Sequence, residues 1–161
     1  MRHAMLPAAV LIFVVWCVPS RAEDPIATLA FISNPYITTQ PADQIKDERG
    51  GQRGFLAQLG PDSMAKTVDL VNQLKPDALV VLGSLTWTGS KADFAAFGEY
   101  LTKIDVPVMT TPGHWDRKSG SLAEYKEIVG ARDADGTVRS VNGVQLVFAS
   151  DALTSLSLIH I

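Results

Sequence analysis

Pro76-Asp77-Ala78-Leu79-Val80-Val81-Leu82-Gly83-Ser84-Leu85-Thr86-Trp87 is the stretch on which the fold turns. Residues 78–82 are an unbroken apolar run closed by Gly83. A strand with one wet face alternates apolar and polar residues. A run without alternation is covered on both faces, the habit of a central parallel strand. Parallel neighbours need crossover connections, usually helices, so the flanking sequence should supply a helix on each side.

It does. On the N-terminal side Met64, Val68, Val71 and Leu74 recur at helical spacing. Pro61-Asp62-Ser63 reads as the start, with Asp62 or Ser63 as N-cap, and Lys75-Pro76 as the stop. On the C-terminal side residues 91–103 place Phe94, Phe97 and Leu101 on one helical face. Residues 27–32 and 106–109 read as further strands, the first closed by Asn34-Pro35. Residues 38–60 are polar, contain Gly50-Gly51 and Gly54, and read as a long loop, a kind that usually serves a site. Residues 121–129 read as a third helix that Gly130 stops. Residues 137–141 and 144–149 flank Asn142-Gly143, a strong signal for a type I′ hairpin. The expectation is an α/β fold with a parallel or mixed sheet, flanking helices and right-handed crossovers.

The chain has 161 residues, enough for one domain, and is 47% hydrophobic and 19% charged, which suits a packed core. Residues 1–22 read as an export signal: Arg2 and His3, an apolar stretch over 6–18, then Ser20-Arg21-Ala22 as a cleavage pattern. The alternative, a membrane anchor, needs about 20 apolar residues. Removing residues 1–22 takes two of the 14 basic residues and none of the 17 acids, leaving 12 against 17, a net charge of −5. No basic stripe remains for nucleic acid. The single cysteine, Cys17, leaves with the signal. The expected location is periplasmic or extracellular, with no membrane attachment after signal removal. Residues 156–161, Leu-Ser-Leu-Ile-His-Ile, match what a sequencing-library transposon end encodes in one frame, so a non-native tail is expected; a genuine apolar tail is the alternative. On that reading residues 23–155 are the domain, and His114 is its only histidine.

Three loops follow the three strands: Ser33-Asn34-Pro35-Tyr36, Gly83-Ser84-Leu85-Thr86-Trp87 and Gly113-His114-Trp115-Asp116. Ligands of parallel sheets sit outside the carboxyl ends of the strands, where all three fall. In order and spacing, with Lys75-Pro76-Asp77 ahead of the second strand, they resemble the first three motifs of the calcineurin-like metallophosphoesterases: Asp-x-His, Gly-Asp-x-x-Asp and Gly-Asn-His-Asp/Glu. The resemblance spans about residues 27–151, the N-terminal half of a catalytic domain, and implies a truncated sandwich of the metallophosphoesterase type. Ser150-Asp151 resembles a family Asp-Ser region that supplies no ligand. A Gly-x-Gly-x-x-Gly after the first strand, which would indicate a nucleotide-binding fold, is absent.

The family is a phosphoester hydrolase that uses two divalent metals, Mn, Fe or Zn. Such ions sit about 3.5–4 Å apart, activate water and stabilise the leaving oxygen. Carried over by position, the metal ligands fall on Asn34, Tyr36, Ser84 and His114. The second motif's further Asp falls on Trp87. The leaving-group histidine falls on Trp115, which is not competent, and its orienting acid on Asp116. Two cations need several carboxylates, and the bridging one is here Ser84. The expectation is an exported family member that is inactive and holds no cofactor. One alternative is a pseudo-enzyme that binds a ligand or partner at an aromatic-lined cleft including Trp87. Another is an enzyme with a reduced single-metal site built on His114, Asp116 and ligands from the missing part of the domain. Each residue also has a plainer reading: Asn34 and Ser84 as turn formers, His114 as a loop histidine, Asp116 as a loop or helix cap, and the aromatic residues as filling for the space of lost ions. No partner can be named.

Overall fold

A computed structural model describes residues 26–45, 52–118 and 122–149, with backbone alone at 52–55. The export signal, Gly50-Gly51, Ser121, Ser150-Asp151 and the tail at 156–161 lie outside the described residues. The described chain is mixed α/β. Strands β1 (Leu29–Ser33), β2 (Ala78–Leu82) and β3 (Val108–Thr111) form one parallel sheet in that order. The register sets Phe31 against Val80 and Val80 against Met109. β2 is central and its residues 78–81 are fully buried, as the unbroken apolar run requires.

Helix α1 (Gln52–Leu74) joins β1 to β2, and α2 (Lys91–Leu101) joins β2 to β3. Consecutive strand order with right-handed crossovers puts both helices on the same face. Leu79 and Val81 point there and share one core with Met64 and Val71 of α1, Phe94, Phe97 and Leu101 of α2, and Tyr125 of α3 (Ala123–Ile128). Val80 points to the other face. There it meets Leu146 and Phe148 from the hairpin of β4 (Val138–Val141) and β5 (Val144–Val147). The hairpin is a separate antiparallel pair. Its turn has φ 46 at Asn142 and 84 at Gly143, the two left-handed positions of a type I′ turn.

Several boundaries differ from the sequence expectation. Helix α1 starts at Gln52, so the expected loop over 38–60 is helical in its second half and Pro61 lies inside the helix. The buried stripe Ala57, Gly60, Met64, Val68, Val71 recurs every three or four residues straight through the proline. A proline inside a helix costs about 3 kcal/mol; in the turn before it Ala57 and Gly60 are buried. Gly60 is itself a packing residue: a Cβ there would lie 2.5 Å from the Pro35 carbonyl oxygen and 2.8 Å from that of Tyr36. Leu74, expected on the buried face, is 63% exposed. At 3.6 residues per turn it falls about 80° from the centre of the stripe.

β3 begins two residues late. Pro107 has no N–H to donate, and serves only through its carbonyl, which accepts from Leu79 at 2.9 Å. α3 is shorter than expected, and Gly130 does not end it in a left-handed cap. The chain passes instead into a 3-10 turn, Gly130–Arg132. None of the described helices is long and apolar enough to cross a membrane.

Candidate functional site

The three loops meet at the carboxyl edge of the sheet and continue its pairing. Asn34 donates its N–H to the Leu82 carbonyl at 3.0 Å, and Gly83 donates to Thr111 at 3.1 Å. Further out, Tyr36 donates to Ser84 at 3.2 Å, Ile37 to Leu85 at 2.9 Å and Trp87 to Ile37 at 2.9 Å. Gly113 makes the third loop fit. A Cβ there would lie 2.1 Å from the Ser84 nitrogen, so only glycine allows this approach.

Asp116 locks the arrangement. It is fully buried, in the 3-10 turn Trp115–Arg117. Its Oδ2 accepts the N–H of Gly113 at 2.7 Å and of Leu85 at 3.0 Å. Its Oδ1 accepts the N–H and the hydroxyl of Thr86, each at 2.8 Å. Burial pushes this carboxyl above its ordinary value, and those four donors pull it back only in part. Asp116 is therefore no cap for its own turn, whose N-cap is His114. It is a bolt between the second and third loops.

A second carboxylate, unread in the sequence, does the same for the first loop. Asp93 is fully buried at the third position of α2. Its Oδ1 accepts from the N–H and hydroxyl of Thr39, at 2.7 and 2.9 Å, and its Oδ2 from those of Thr88. The sequence did carry a signal. Ser90-x-x-Asp93 is a capping pattern, and Ser90 Oγ accepts the Asp93 N–H at 3.2 Å. The reciprocal half is absent, because the Ser90 N–H goes to Thr88 Oγ1. That leaves the Asp93 carboxylate for the loops.

Three of the family-position residues come together as an aromatic cluster. Trp87 and Trp115 stack with centroids 4.3 Å apart and planes 12° apart. Tyr36 stands edge-on to both, at 5.8 Å from Trp87 and 6.5 Å from Trp115. Lys118 places its ammonium 4.5 Å from the Trp115 centroid and 5.6 Å from that of Trp87. Lys118 was not singled out in the sequence, since one lysine after an aromatic residue carries no signal by itself. Trp87 is 1% exposed, so it cannot line the cleft of the alternative reading; it is the floor on which Trp115 rests. Trp115 and Tyr36 are half-buried and form the outer surface. Tyr36 holds φ at 50 and Asn34 at 51. Asn tolerates the left-handed region, whereas a bulky ring there costs about 1–3 kcal/mol and marks a constrained site.

Ser84 is buried and Asn34 and His114 are exposed. The donors at the family ligand positions are therefore an amide, a phenol, a hydroxyl and one exposed imidazole. Both oxygens of Asp116 and both of Asp93 are engaged by the loops. Among the described residues no cluster of three or more His, Cys, Asp or Glu is placed to hold a metal. This donor set does not fit a pair of divalent cations. No family model matches the chain, and no curated protein matches it.

Proposed function

We propose that this chain is the N-terminal part of an exported calcineurin-like metallophosphoesterase domain in which phosphoester hydrolysis has been lost and the loop face binds without catalysis. The observation that carries the reading is the aromatic cluster itself. Three loops with the order and spacing of the family motifs converge at the carboxyl edge of a parallel sheet. There Tyr36, Trp87 and Trp115, at positions where the family keeps a metal ligand, the second motif's further Asp and the leaving-group histidine, pack on one another. Two cations and their waters need carboxylates to neutralise them, and like charges that close repel strongly in a dry site. Ser84, at the bridging position, supplies only a hydroxyl. Asp116 and Asp93 join by hydrogen bonds the loops that ions would join in the family, which supports a face built without them.

The full-length protein, dialysed against manganese, iron and zinc and then analysed for metal, should retain less than one equivalent per chain. It should turn over neither an aryl phosphate nor an aryl phosphodiester. Two tightly bound equivalents, or metal-dependent turnover, would overturn the reading. The export proposal is separate, and N-terminal sequencing of the exported protein tests it by a start after Ala22. The aromatic surface of Trp115 and Tyr36 favours a binding module over an inert remnant. A remnant has no need to hold Tyr36 in a strained backbone conformation at the surface.

A further inference from the structure

We infer that Asn142 is a spontaneous modification site, at which the folded chain loses ammonia and becomes a mixture of aspartate and isoaspartate. Asparagine is among the chemically labile side chains. Its reaction needs the N–H of the next residue, a free side-chain amide, and room for that nitrogen to reach the amide carbon. The chain has three asparagines, Asn34, Asn72 and Asn142. Asn34 precedes Pro35, whose nitrogen carries no proton to give up. Asn72 lies inside α1, and its amide is tied at both atoms: Nδ2 donates to the Lys103 carbonyl at 2.7 Å, and Oδ1 accepts the Asp105 N–H at 3.0 Å. Asn142 has neither restraint. It is exposed at the tip of the β4–β5 hairpin and is followed by Gly143. Among the described residues neither its amide nor the Gly143 N–H has a hydrogen-bond partner. A Cβ on Gly143 would meet nothing within 4 Å, so the peptide has room to turn. Asp135-Gly136 is the nearest competitor, since an aspartate can close the same ring by losing water. There the Gly136 N–H is held by the Phe148 carbonyl at 3.1 Å.

The step balances with no co-reactant but water. The Gly143 nitrogen gives up its proton and attacks Cγ of Asn142. The new C–N bond closes a succinimide ring, the Cγ–Nδ2 bond breaks, and the amide nitrogen leaves with the proton as ammonia. Water then opens the ring on either side. Cleavage at Cγ leaves aspartate. Cleavage at the main-chain carbonyl leaves isoaspartate, whose backbone runs through the side chain and is longer by a methylene. Either product carries one negative charge beyond the −3 of the sequence. Their effects on the fold differ. Aspartate keeps the turn, because Asp-Gly also suits type I′. Isoaspartate lengthens a turn that must set two left-handed residues between Val141 and Val144. A loosened hairpin uncovers Val80, against which Leu146 and Phe148 pack. The cover on one face of the sheet is thus lost slowly with age.

The test is incubation of the full chain at mildly alkaline pH in heavy-oxygen water, followed by ion exchange and peptide mapping. Heavy oxygen should enter at Asn142 before any other asparagine, and the isoaspartate fraction there should resist an aspartate-directed protease. The folded chain should convert within about a hundredfold of the rate of a free peptide of residues 138–147, the range that local opening of an exposed turn allows. Asn142→Gly keeps a residue that type I′ accepts and should abolish the first acidic species. The isoaspartate form should unfold at lower urea than the aspartate form. The inference is overturned by conversion at Asn72 ahead of Asn142, by a rate at Asn142 more than about a hundredfold below the peptide's, or by the same first acidic species in Asn142→Gly. Equal urea midpoints for the two products would overturn the claim that the turn holds the hairpin in place.

Discussion

Replacing Asp116 with alanine should be the most damaging single change at the loop face. The carboxylate accepts four hydrogen bonds, three of them from backbone N–H groups that cannot turn elsewhere: Leu85, Thr86 and Gly113. A buried donor left without a partner costs about 1–3 kcal/mol. Three such donors set the cost at roughly 3–9 kcal/mol. Water entering the vacated space and relief of the buried charge act against this, so the lower end applies, about 3 kcal/mol. A domain is stable by only about 5–15 kcal/mol, so the loss is a large share. Thr86→Val is the internal standard. It removes one bond to Asp116 and the acceptor for the Gly89 N–H, and should cost about 1–2 kcal/mol. Urea unfolding followed by tryptophan fluorescence reports both, with unchanged m-values. The pH dependence adds a sign. Burial raises the carboxyl in the folded state, so the folded chain holds this proton more tightly than the unfolded one. Its contribution is full below about pH 4 and fades as pH rises through the raised value. Asp116→Ala should lose that slope. An Asp116→Ala protein within about 0.5 kcal/mol of the parent would show that the loops are held by something other than this carboxylate, and the lower bound above would be wrong.

Three further outcomes follow from the same geometry. Tyr36→Asn relieves a left-handed backbone, a gain of about 1 kcal/mol, but gives up edge contacts to two indoles worth about 0.5–1.5 kcal/mol each beyond their burial. The net change should be destabilising, and a stabilised variant in chemical denaturation would reverse the account of the cluster. Gly113→Ala drives a methyl to 2.1 Å from the Ser84 nitrogen. It should cost about 3 kcal/mol and weaken the coupled indole signal of the Trp87–Trp115 stack in far-ultraviolet circular dichroism. Burial also pushes the Tyr125 phenol far up, beyond the pull of its bond to Thr110. The folded state therefore keeps this proton, and stability present below about pH 10 is lost as pH rises past it. Tyr125→Phe should flatten the alkaline limb of the stability profile; an identical limb in both proteins would refute the assignment.

The sheet was legible because its signals are local. Ala78–Leu82 needs no context to read as a covered strand, and Asn142-Gly143 needs none to read as a tight hairpin. The start of α1 was not, because Pro61 is a strong local stop and the reason to overrule it lies in the carbonyls of Pro35 and Tyr36, far off in sequence. The convergence of three loops followed from strand order alone. What joins them did not. Asp93 and Asp116 look in sequence like helix-start acids, and their partners are 3 to 54 residues away. Trp87 and Trp115 were placed at one site by family spacing. That one would be buried floor and the other surface depends on the stack, which no residue pattern encodes.

Loops are ordinarily where a domain opens first, and their amides trade hydrogen for deuterium within the dead time of a measurement. The two buried carboxylates change that expectation for this face. The amides of Thr39, Leu85, Thr86, Thr88 and Gly113 each end on a carboxylate oxygen. Those of Tyr36, Ile37 and Trp87 end on the carbonyls of Ser84, Leu85 and Ile37. The first five protons should exchange only when a buried carboxylate is exposed, and the other three only when the loop pairing opens. The loop edge should thus open in the same slow unit as β2, with motion at this face confined to side-chain rotation at the surface.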